Sequence, residues 1–500
     1  MHRSRSNIVV AASAALALAL ASGCTVGPHY QAPAPPAVTT YTSQPQPDTT
    51  AGSAGPAGLS QTLNSSADLP AQWWTLFQSP ELDGMVRTAL DHSPTLAQAT
   101  ARLLQAQEVL KARTGATRWP TVTGNASVEE EQLNLAAYGI PLPNPSPFTL
   151  LNGSVAVSYA LDLFGGNRRQ MESLRAQVDD QAWQLEGARL MLAGNVVAAA
   201  IRQAQVHAQI ETTQQTIELQ RQQLRITQQR FQAGGVSTYD VRTARTAFAQ
   251  TQAALPTLEQ QRDSLNDQLA VLMGESPAEA RVASLSLDRL HLPATLPLSL
   301  PSALVRQRPD IRAAEARLHE ASANVGVATA NLYPQIVLSG NGGGVGTGFT
   351  SGGGIWNVGL SLAQPLYNGG ALRAERRKAE AAYQEAGSAF RQTVLEAFQQ
   401  VADALYAIQH DAETLRARTD AAAQADAAWH IAAARYQAGG LSRLALLDAQ
   451  RQQLQTALDR SNAAAARYAD SATLFQALGG GWWNAASTAR KLSAPQQPKP

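Results

Sequence analysis

The sequence predicts a mainly α-helical chain with a small β part, arranged as two copies of one helical hairpin. The octapeptide RFQAGGVS at Arg230–Ser237 returns as RYQAGGLS at Arg435–Ser442, with only conservative changes. Each copy lies between long stretches rich in Ala, Gln, Leu and Arg. A Gly-Gly pair accepts the left-handed backbone that ends one helix and reverses the chain into the next. Each octapeptide therefore predicts the turn of a helical hairpin, at 234–235 and 439–440.

Other landmarks recur in the same order in both halves of the sequence. The matched pairs are Ser93-Pro94 with Arg308-Pro309, Trp119-Pro120 with Tyr333-Pro334, and Leu163–Gly166 with Leu366–Gly370. The shared order is helix, proline, two short segments, Gly-Gly, very long helix, turn and helix. A repeat of this length is a duplication rather than a solenoid unit. We therefore predict repeat 1 over 71–275, a connector over 276–301 and repeat 2 over 302–480.

The chain begins with the features of a secretory signal. Arg3 and Arg5 precede an apolar run at Ile8–Ala21, which is shorter than the roughly 20 residues of a membrane-spanning helix. Positive charge, apolar run and small residues, in that order, predict a signal peptide over 1–23. Cys24 is the single cysteine, and its setting resembles the lipid-bearing first residue of bacterial lipoproteins. A plain secretory signal with an incidental cysteine is the alternative.

Residues 24–70 are rich in Pro, Ala, Ser, Thr and Gly and lack apolar periodicity. Because such a segment buries too little surface to order itself, it predicts an extended tether or a strap on the outside of the fold. Residues 481–500 are predicted to be a disordered tail. The net charge of +1 and the charged fraction of 15% fit neither a nucleic-acid binder nor an acidic tail protein.

The helix lengths predict tall columns. The long helices over 167–233 and 371–438 would each reach about 100 Å at 1.5 Å per residue. Two shorter helices stacked end to end match one long helix, which gives each repeat two antiparallel columns. Small and apolar residues, such as Leu185, Ala188, Leu192 and Val196, allow coiled-coil-like packing along the seam. The shorter helices are predicted over 84–118, 236–272, 302–332 and 441–478.

Two segments with period-two alternation lie in each of the predicted hairpins, 120–163 and 334–367. One face is apolar and the other is small or polar, and the predicted strands have about 8 to 10 residues, as in outer-membrane strands. A soluble antiparallel sheet with one buried face is the alternative. Aromatic residues at one end of the hairpins would form a membrane girdle: Trp119, Phe164, Tyr333 and Tyr367.

Four strands cannot close into a barrel, and lipid does not tolerate open sheet edges. Because about eight strands are the practical minimum, the chain must oligomerise if these strands span a membrane. Two copies would make a barrel filled by side chains, whereas three would leave an open lumen, which the small polar face favours. We predict a trimeric α-barrel of twelve helical columns, continued by a twelve-stranded antiparallel β-barrel with four strands per chain.

Catalysis finds little support. The glycine-rich stretch Gly340–Gly354 has no Lys and no phosphate-binding motif, so it predicts a flexible loop between strands. The eight histidines are scattered and form no HExxH pair. We predict no enzymatic activity, no metal and no cofactor beyond a lipid on Cys24.

The chain resembles the TolC/OprM-like outer-membrane factors, in their lipoprotein (NodT-type) branch, over the whole length from Cys24 to about Leu478. Gln307 stands where that family commonly has Arg. The residues that carry the resemblance are Cys24–Tyr30 with Pro33, Trp74, Phe77, Pro80 and Leu82, Leu300–Leu304, Arg308–Arg312, Ala314-Glu315, and both tip octapeptides.

The resemblance implies a homotrimer in the outer membrane of a Gram-negative bacterium. It would be the exit channel of a tripartite efflux pump that exports small molecules such as drugs. Its partners would be a periplasmic adaptor (membrane fusion protein), an inner-membrane transporter of RND type and outer-membrane lipid, with no nucleic acid. A type I protein-secretion duct of the same fold is one alternative. A lipid-anchored periplasmic coiled-coil adaptor or scaffold, which would not need the four strands, is another.

The resemblance also implies roles at the tips. In the family, carboxylates at the aperture lie shortly after the second tip turn, at positions that match 445 and 448 here. Only Asp448 is acidic in this sequence. After the first tip turn, the acidic residue is Asp240. Bonds from Arg242, Arg443 and Arg245 would hold the gate. Ordinary first-turn acids are the alternative. Adaptor contacts are expected at Gly234, Gly235, Val236 and Ser237 and at Gly439, Gly440, Leu441 and Ser442.

Overall fold

The computed structural model describes residues 25–44, 46–65, 67–139, 141–144, 146–347 and 352–484. The predicted signal peptide, Cys24 and residues 485–500 of the predicted tail lie outside these residues. Residues 481–484 of that tail are ordered, contrary to the prediction, because Trp482 Nε1 donates to the Gln307 carbonyl (2.6 Å). The chain divides into two compact units, and each draws residues from both halves of the sequence. Unit 1 contains Arg102–Gln181, Ala314–Arg391 and the N-terminal segment up to Pro33, and unit 2 contains Ala34–Ala101, Ala182–Ala313 and the chain from Gln392.

Eight α-helices lie in the described residues. They are α1 (Pro80–His92), α2 (Pro94–Arg118), α3 (Gly166–Gln232), α4 (Thr238–Leu272), α5 (Pro301–Gln307), α6 (Pro309–Ala330), α7 (Ala371–Gln437) and α8 (Arg443–Ala477). The two predicted long helices are confirmed at 67 residues each. No helix among the described residues is long and apolar enough to cross a membrane.

Two predicted helices are each divided in two by a proline. The residue before a proline is pushed out of the helical region, and both Ser93 (ψ 123°) and Arg308 (ψ 124°) are extended. The helices after the tips begin two residues later than predicted, because Ser237 and Ser442 are N-caps. Leu185, Leu192 and Val196 are buried along α3, as the seam pattern predicts.

Unit 1 carries one four-stranded antiparallel sheet, whose strands lie in the order Thr121–Glu131, Phe148–Leu161, Gln335–Thr347 and Gly352–Ala363. The strands have 11 to 14 residues and are longer than predicted. The six strands of the described chain are β1 (Thr62–Asn64), β2 (Thr121–Glu131), β3 (Phe148–Leu161), β4 (Thr295–Pro297), β5 (Gln335–Thr347) and β6 (Gly352–Ala363).

The prediction of a flexible loop over the glycine-rich stretch is wrong. Its described glycines lie in β5, which pairs in register with both β3 and β6, and in β6, which pairs with β5. A Cβ added to Gly343 would collide with the carbonyl oxygen of Gly153 on β3. Glycine therefore extends the sheet here, because it allows the backbones to approach closely.

The N-terminal segment is ordered more firmly in unit 2 than its composition predicts. Arg467 of α8 is 1% exposed, and its guanidinium donates to the Ala57 carbonyl (2.6 Å) and to Gln61 Oε1 (3.0 Å). The Tyr468 hydroxyl accepts from Ala57 N (3.1 Å) and donates to the Leu290 carbonyl (2.7 Å). Strand β1 also pairs in parallel with β4 of the connector. Hydrogen bonds from a buried helix face thus order a segment with few apolar residues.

Candidate functional sites

The first tip turn, between α3 and α4, satisfies its own polar groups. Gly234 takes a left-handed φ of 74°, and Gly235 N donates to the Arg230 carbonyl (2.7 Å). Asp240 accepts from Ser237 N (2.8 Å) and Ser237 Oγ (2.7 Å), while Ser237 Oγ accepts from Asp240 N (3.3 Å). This reciprocal capping box satisfies the free amides that begin α4. Hydrogen bonds from Ser237 also hold the pKa of the Asp240 carboxyl below its ordinary value.

The second tip turn, between α7 and α8, has the same backbone and only half of that cap. Gly439 has a φ of 78°, and Gly440 N donates to the Arg435 carbonyl (2.8 Å). Ser442 Oγ accepts from Ala445 N (3.2 Å). Because Ala445 stands where the first tip has Asp240, no side chain at that position accepts a hydrogen bond from Ser442 N.

Polar residues after the second tip bind to the long helix of the first hairpin. Asp448 accepts from Gln223 Nε2 (3.1 Å), and Arg443 donates to Gln222 Oε1 (3.1 Å). The Arg443 guanidinium also lies 5.4 Å from the centroid of the Tyr436 ring. These contacts connect α8 to α3 through two adjacent glutamines.

Within one chain, the two predicted aperture carboxylates contact residues other than the arginines that were expected to hold the gate. Within the described residues of one chain, Asp240 bonds to Ser237, and Asp448 bonds to Gln223 with Arg451 at 3.9 Å. Arg242 and Arg443 form no ion pair with either carboxylate there. The glutamines were missed because they lie among many others in α3 and carry no sequence signal. At the predicted adaptor contacts, Ser237 and Ser442 are exposed and Val236 and Leu441 are half-buried.

The sheet of unit 1 displays a broad apolar face. Exposed apolar residues alternate along the outer strands, as the period-two pattern predicts. They include Val122 (65%), Val128 (71%), Trp356 (81%), Val358 (72%) and Leu360 (66%). Strands β2 and β6 are the edges of the sheet and have one neighbour each within the chain.

The four predicted girdle aromatics differ in their surroundings. Phe164 and Tyr333 stack with their ring centroids 4.8 Å apart. Trp119 is 66% exposed and Tyr367 is 92% exposed. Phe164 of repeat 1 and Tyr333 of repeat 2 thus pack against each other, whereas Trp119 and Tyr367 are exposed.

The residues that follow Cys24 are docked on unit 1. Val26 N donates to the Phe164 carbonyl (3.2 Å). Arg169, which is 3% exposed, donates to the carbonyls of Val26 (3.2 Å) and Gly27 (3.4 Å). Gly27 has a φ of 90°, and a Cβ there would lie 2.5 Å from the Cα of Gly326. Glycine is therefore required at position 27 by its left-handed backbone and its close approach to the Gly326 backbone. A Cβ on Gly326 would instead lie 2.7 Å from the Arg169 side chain.

A small polar cluster completes this docking site. Glu172 accepts from Arg169 (2.8 Å) and binds His319 Nε2 (2.9 Å). The Tyr30 ring stacks on His319 at 4.2 Å. Burial alone would raise the pKa of Glu172, but the bonds from His319 and Arg169 outweigh it and hold that pKa below its ordinary value. No sequence pattern marks this cluster, because Tyr30, Glu172 and His319 are far apart in the chain.

Comparison with known proteins agrees with this architecture. The sequence model of a family described as outer membrane efflux protein matches residues 85–275 and 300–480. The chain is 32% identical over 454 residues to the pyoverdine export outer membrane protein OpmQ of Pseudomonas putida, covering 88% of this chain and 94% of that protein. It is 28% identical to nodulation protein T of Rhizobium leguminosarum, covering 86% and 89%.

The solved structure of the outer-membrane channel OprN superposes with a TM-score of 0.78 at 30% identity. The match covers 92% of this chain and all of that one. OpmQ is named for export and OprN as an outer-membrane channel, and the outer-membrane efflux proteins of tripartite pumps work as trimers with an adaptor and an inner-membrane transporter. The repeated hairpins, the four-stranded sheet and these matches together establish that the chain belongs to the outer-membrane efflux protein family, as a Gram-negative outer-membrane channel with a long periplasmic part.

Proposed function

We propose that three copies of this chain close one barrel and form an export duct for small molecules. The observation that carries the proposal is the sheet of unit 1, whose exposed apolar face and two edge strands suit lipid only if neighbouring copies pair with those edges. Four strands per chain and three chains give twelve strands, enough for an open lumen.

Small molecules are the proposed cargo. Relatives are named for the export of pyoverdine, antibiotics, toluene and cations. Small and polar residues such as Ser154, Ala156 and Ser158 alternate with the apolar ones along β3 and would face the lumen. A lining of this kind has no dedicated binding group, so the inner-membrane transporter would select the cargo.

The two tips are the proposed contact with a periplasmic adaptor, which would join the duct to an RND-type transporter. Val236, Ser237, Leu441 and Ser442 are better candidates than the glycines, because the turn geometry alone accounts for Gly234 and Gly439. Replacing those four side chains should abolish drug export at normal expression. Unchanged export would exclude the contact.

A lipid on Cys24 is the proposed anchor. The docking of Val26 and Gly27 supports it, since these hydrogen bonds hold the chain just after Cys24 against unit 1 beside Phe164. The mass of the mature N-terminal peptide tests this proposal: acylation adds the lipid mass, and Cys24→Ser should remove it.

Single-channel conductance of the purified protein in a planar bilayer, with its mass from light scattering, tests the whole proposal. Discrete openings from a species of three chains are expected. A stable species that extracts without detergent and never conducts would instead favour an anchored periplasmic scaffold.

A further inference from the structure

A cleft of about 540 Å³ in unit 1 has no part in the functions considered so far. It lies where α2 ends and α3 begins, and three arginines contribute to its wall: Arg118, Arg168 and Arg175. Asp162 and Glu172 contribute the acidic groups. The facing helices are fixed there, because Arg113 donates to Asn167 (3.2 Å) and Thr114 Oγ1 lies 3.8 Å from Met171 Sδ.

Both acids of the cleft are already engaged by other groups. Asp162 caps α3 by accepting from the backbone amides of Asn167 (3.0 Å) and Arg168 (2.9 Å), and it pairs with the Arg168 guanidinium (3.3 Å). Glu172 is held by Arg169 and His319. In the described residues of this chain, the guanidiniums of Arg118 and Arg175 have no hydrogen bond or ion pair. The cleft therefore presents two uncompensated cations.

The position of the cleft in the chain places it at a membrane surface. Arg118 directly precedes the exposed Trp119. The exposed apolar face of the sheet begins at Val122, three residues after Trp119. Asp162 directly follows the last residue of β3. Since the strands belong to the membrane and the helices to the periplasm, this end of the strands is where the inner leaflet exposes its phosphates.

We propose that this cleft binds the phosphate of an anionic phospholipid headgroup, with Arg118 and Arg175 as the direct ligands. A guanidinium suits this task because it offers several donors to phosphate oxygens in charge-assisted hydrogen bonds. Trp119 would lie beside the glycerol region of the same lipid. The proposal depends on the membrane position of the strands, and it is independent of cargo and adaptor.

Native mass spectrometry of the full-length, detergent-purified protein, titrated with phosphatidylglycerol, tests the proposal. The double variant Arg118→Gln/Arg175→Gln should lose about tenfold in affinity, as expected when charged hydrogen bonds are removed. The matched control is Arg202→Gln/Arg416→Gln, which removes two exposed arginines of unit 2 and should bind as the wild type does. Both variants must keep the oligomeric mass and the thermal transition of the wild type.

A third variant and a competitor separate the remaining possibilities. Arg118→Lys/Arg175→Lys keeps the charge and should recover part of the affinity if the cleft recognises phosphate. Millimolar inorganic phosphate should fail to displace the lipid, and full displacement would overturn the lipid as the source of the phosphate. Equal binding by the wild type and the glutamine variant, or equal loss in the control, would overturn the site.

Discussion

The two tip turns share six of eight residues and one backbone, yet they use their polar groups differently. At the first tip, Ser237 and Asp240 satisfy each other within one turn of helix. At the second, Ser442 caps alone, and Arg443 and Asp448 reach across to α3. The first tip is self-contained, whereas the residues after the second tip link the two hairpins. Movement of α8 away from α3 must therefore break the second set of bonds and can leave the first intact.

The largest effect is expected when the hydrogen bonds that connect Arg443 and Asp448 of α8 to α3 are removed. Gln222→Ala/Gln223→Ala removes two hydrogen bonds of about 1 kcal/mol each and should raise resting conductance by about tenfold or more. The matched control is Gln214→Ala/Gln215→Ala, an exposed adjacent pair on the same helix. Planar-bilayer recordings of both variants measure the difference. Equal conductance in the two would show that the bonds to Arg443 and Asp448 do not restrain the tip.

The backbone of the two tips should prove equivalent. Gly234→Ala and Gly439→Ala place a side chain at a left-handed φ and should each weaken the turn by about 1 to 2 kcal/mol. Gly235→Ala and Gly440→Ala are the controls, because their φ angles are ordinary and an added Cβ meets only the carbonyl oxygens of Arg230 and Arg435, at 3.4 and 3.6 Å. Hydrogen exchange of the tip amides measures each loss. A larger cost at the second glycine of either pair would contradict the assigned geometry.

The caps should differ in strength. Ser237→Ala disrupts a reciprocal box and should cost about 1 kcal/mol of local stability, whereas Ser442→Ala removes a single bond and should cost about half as much. Exchange rates of the first-turn amides of α4 and α8 compare the two directly. Threonine at either position keeps the acceptor oxygen and serves as the control. Identical losses would mean that Asp240 adds nothing to the first cap.

The smallest effect is a difference in pH response. The pKa of Asp240 is lowered by the hydrogen bonds from Ser237, so the folded tip binds the proton less well than the unfolded chain. Its stabilisation is present at neutral pH and is lost as pH falls below the ordinary aspartate value of about 3.9 toward the folded pKa. Exchange at the first tip should therefore accelerate in acid relative to the second. Asp240→Asn should remove the difference.

Much of the architecture could be predicted because it is encoded locally. Glycine pairs, the period of 3.6 residues along α3 and α7, and the period-two alternation along β2 and β3 are properties of neighbouring residues. The ends of the strands could not be predicted from the sequence, because the glycines of β5 carry no side chains that could form a pattern. Only their pairing with β3 and β6 makes them a strand.

The sequence by itself determined the duplicated hairpins, the lengths of the two long helices, the position of the turns and the amphipathic strands, since each depends on residues close together in the chain. Tertiary structure alone decided the partners of those polar side chains that bond across long distances in the chain. Arg169 reaches Val26, Arg467 reaches Gln61 and Gln223 reaches Asp448 only because the fold brings together residues more than a hundred positions apart. Such contacts leave no periodic trace, because hydrogen bonding depends on distance in space and not on spacing along the chain.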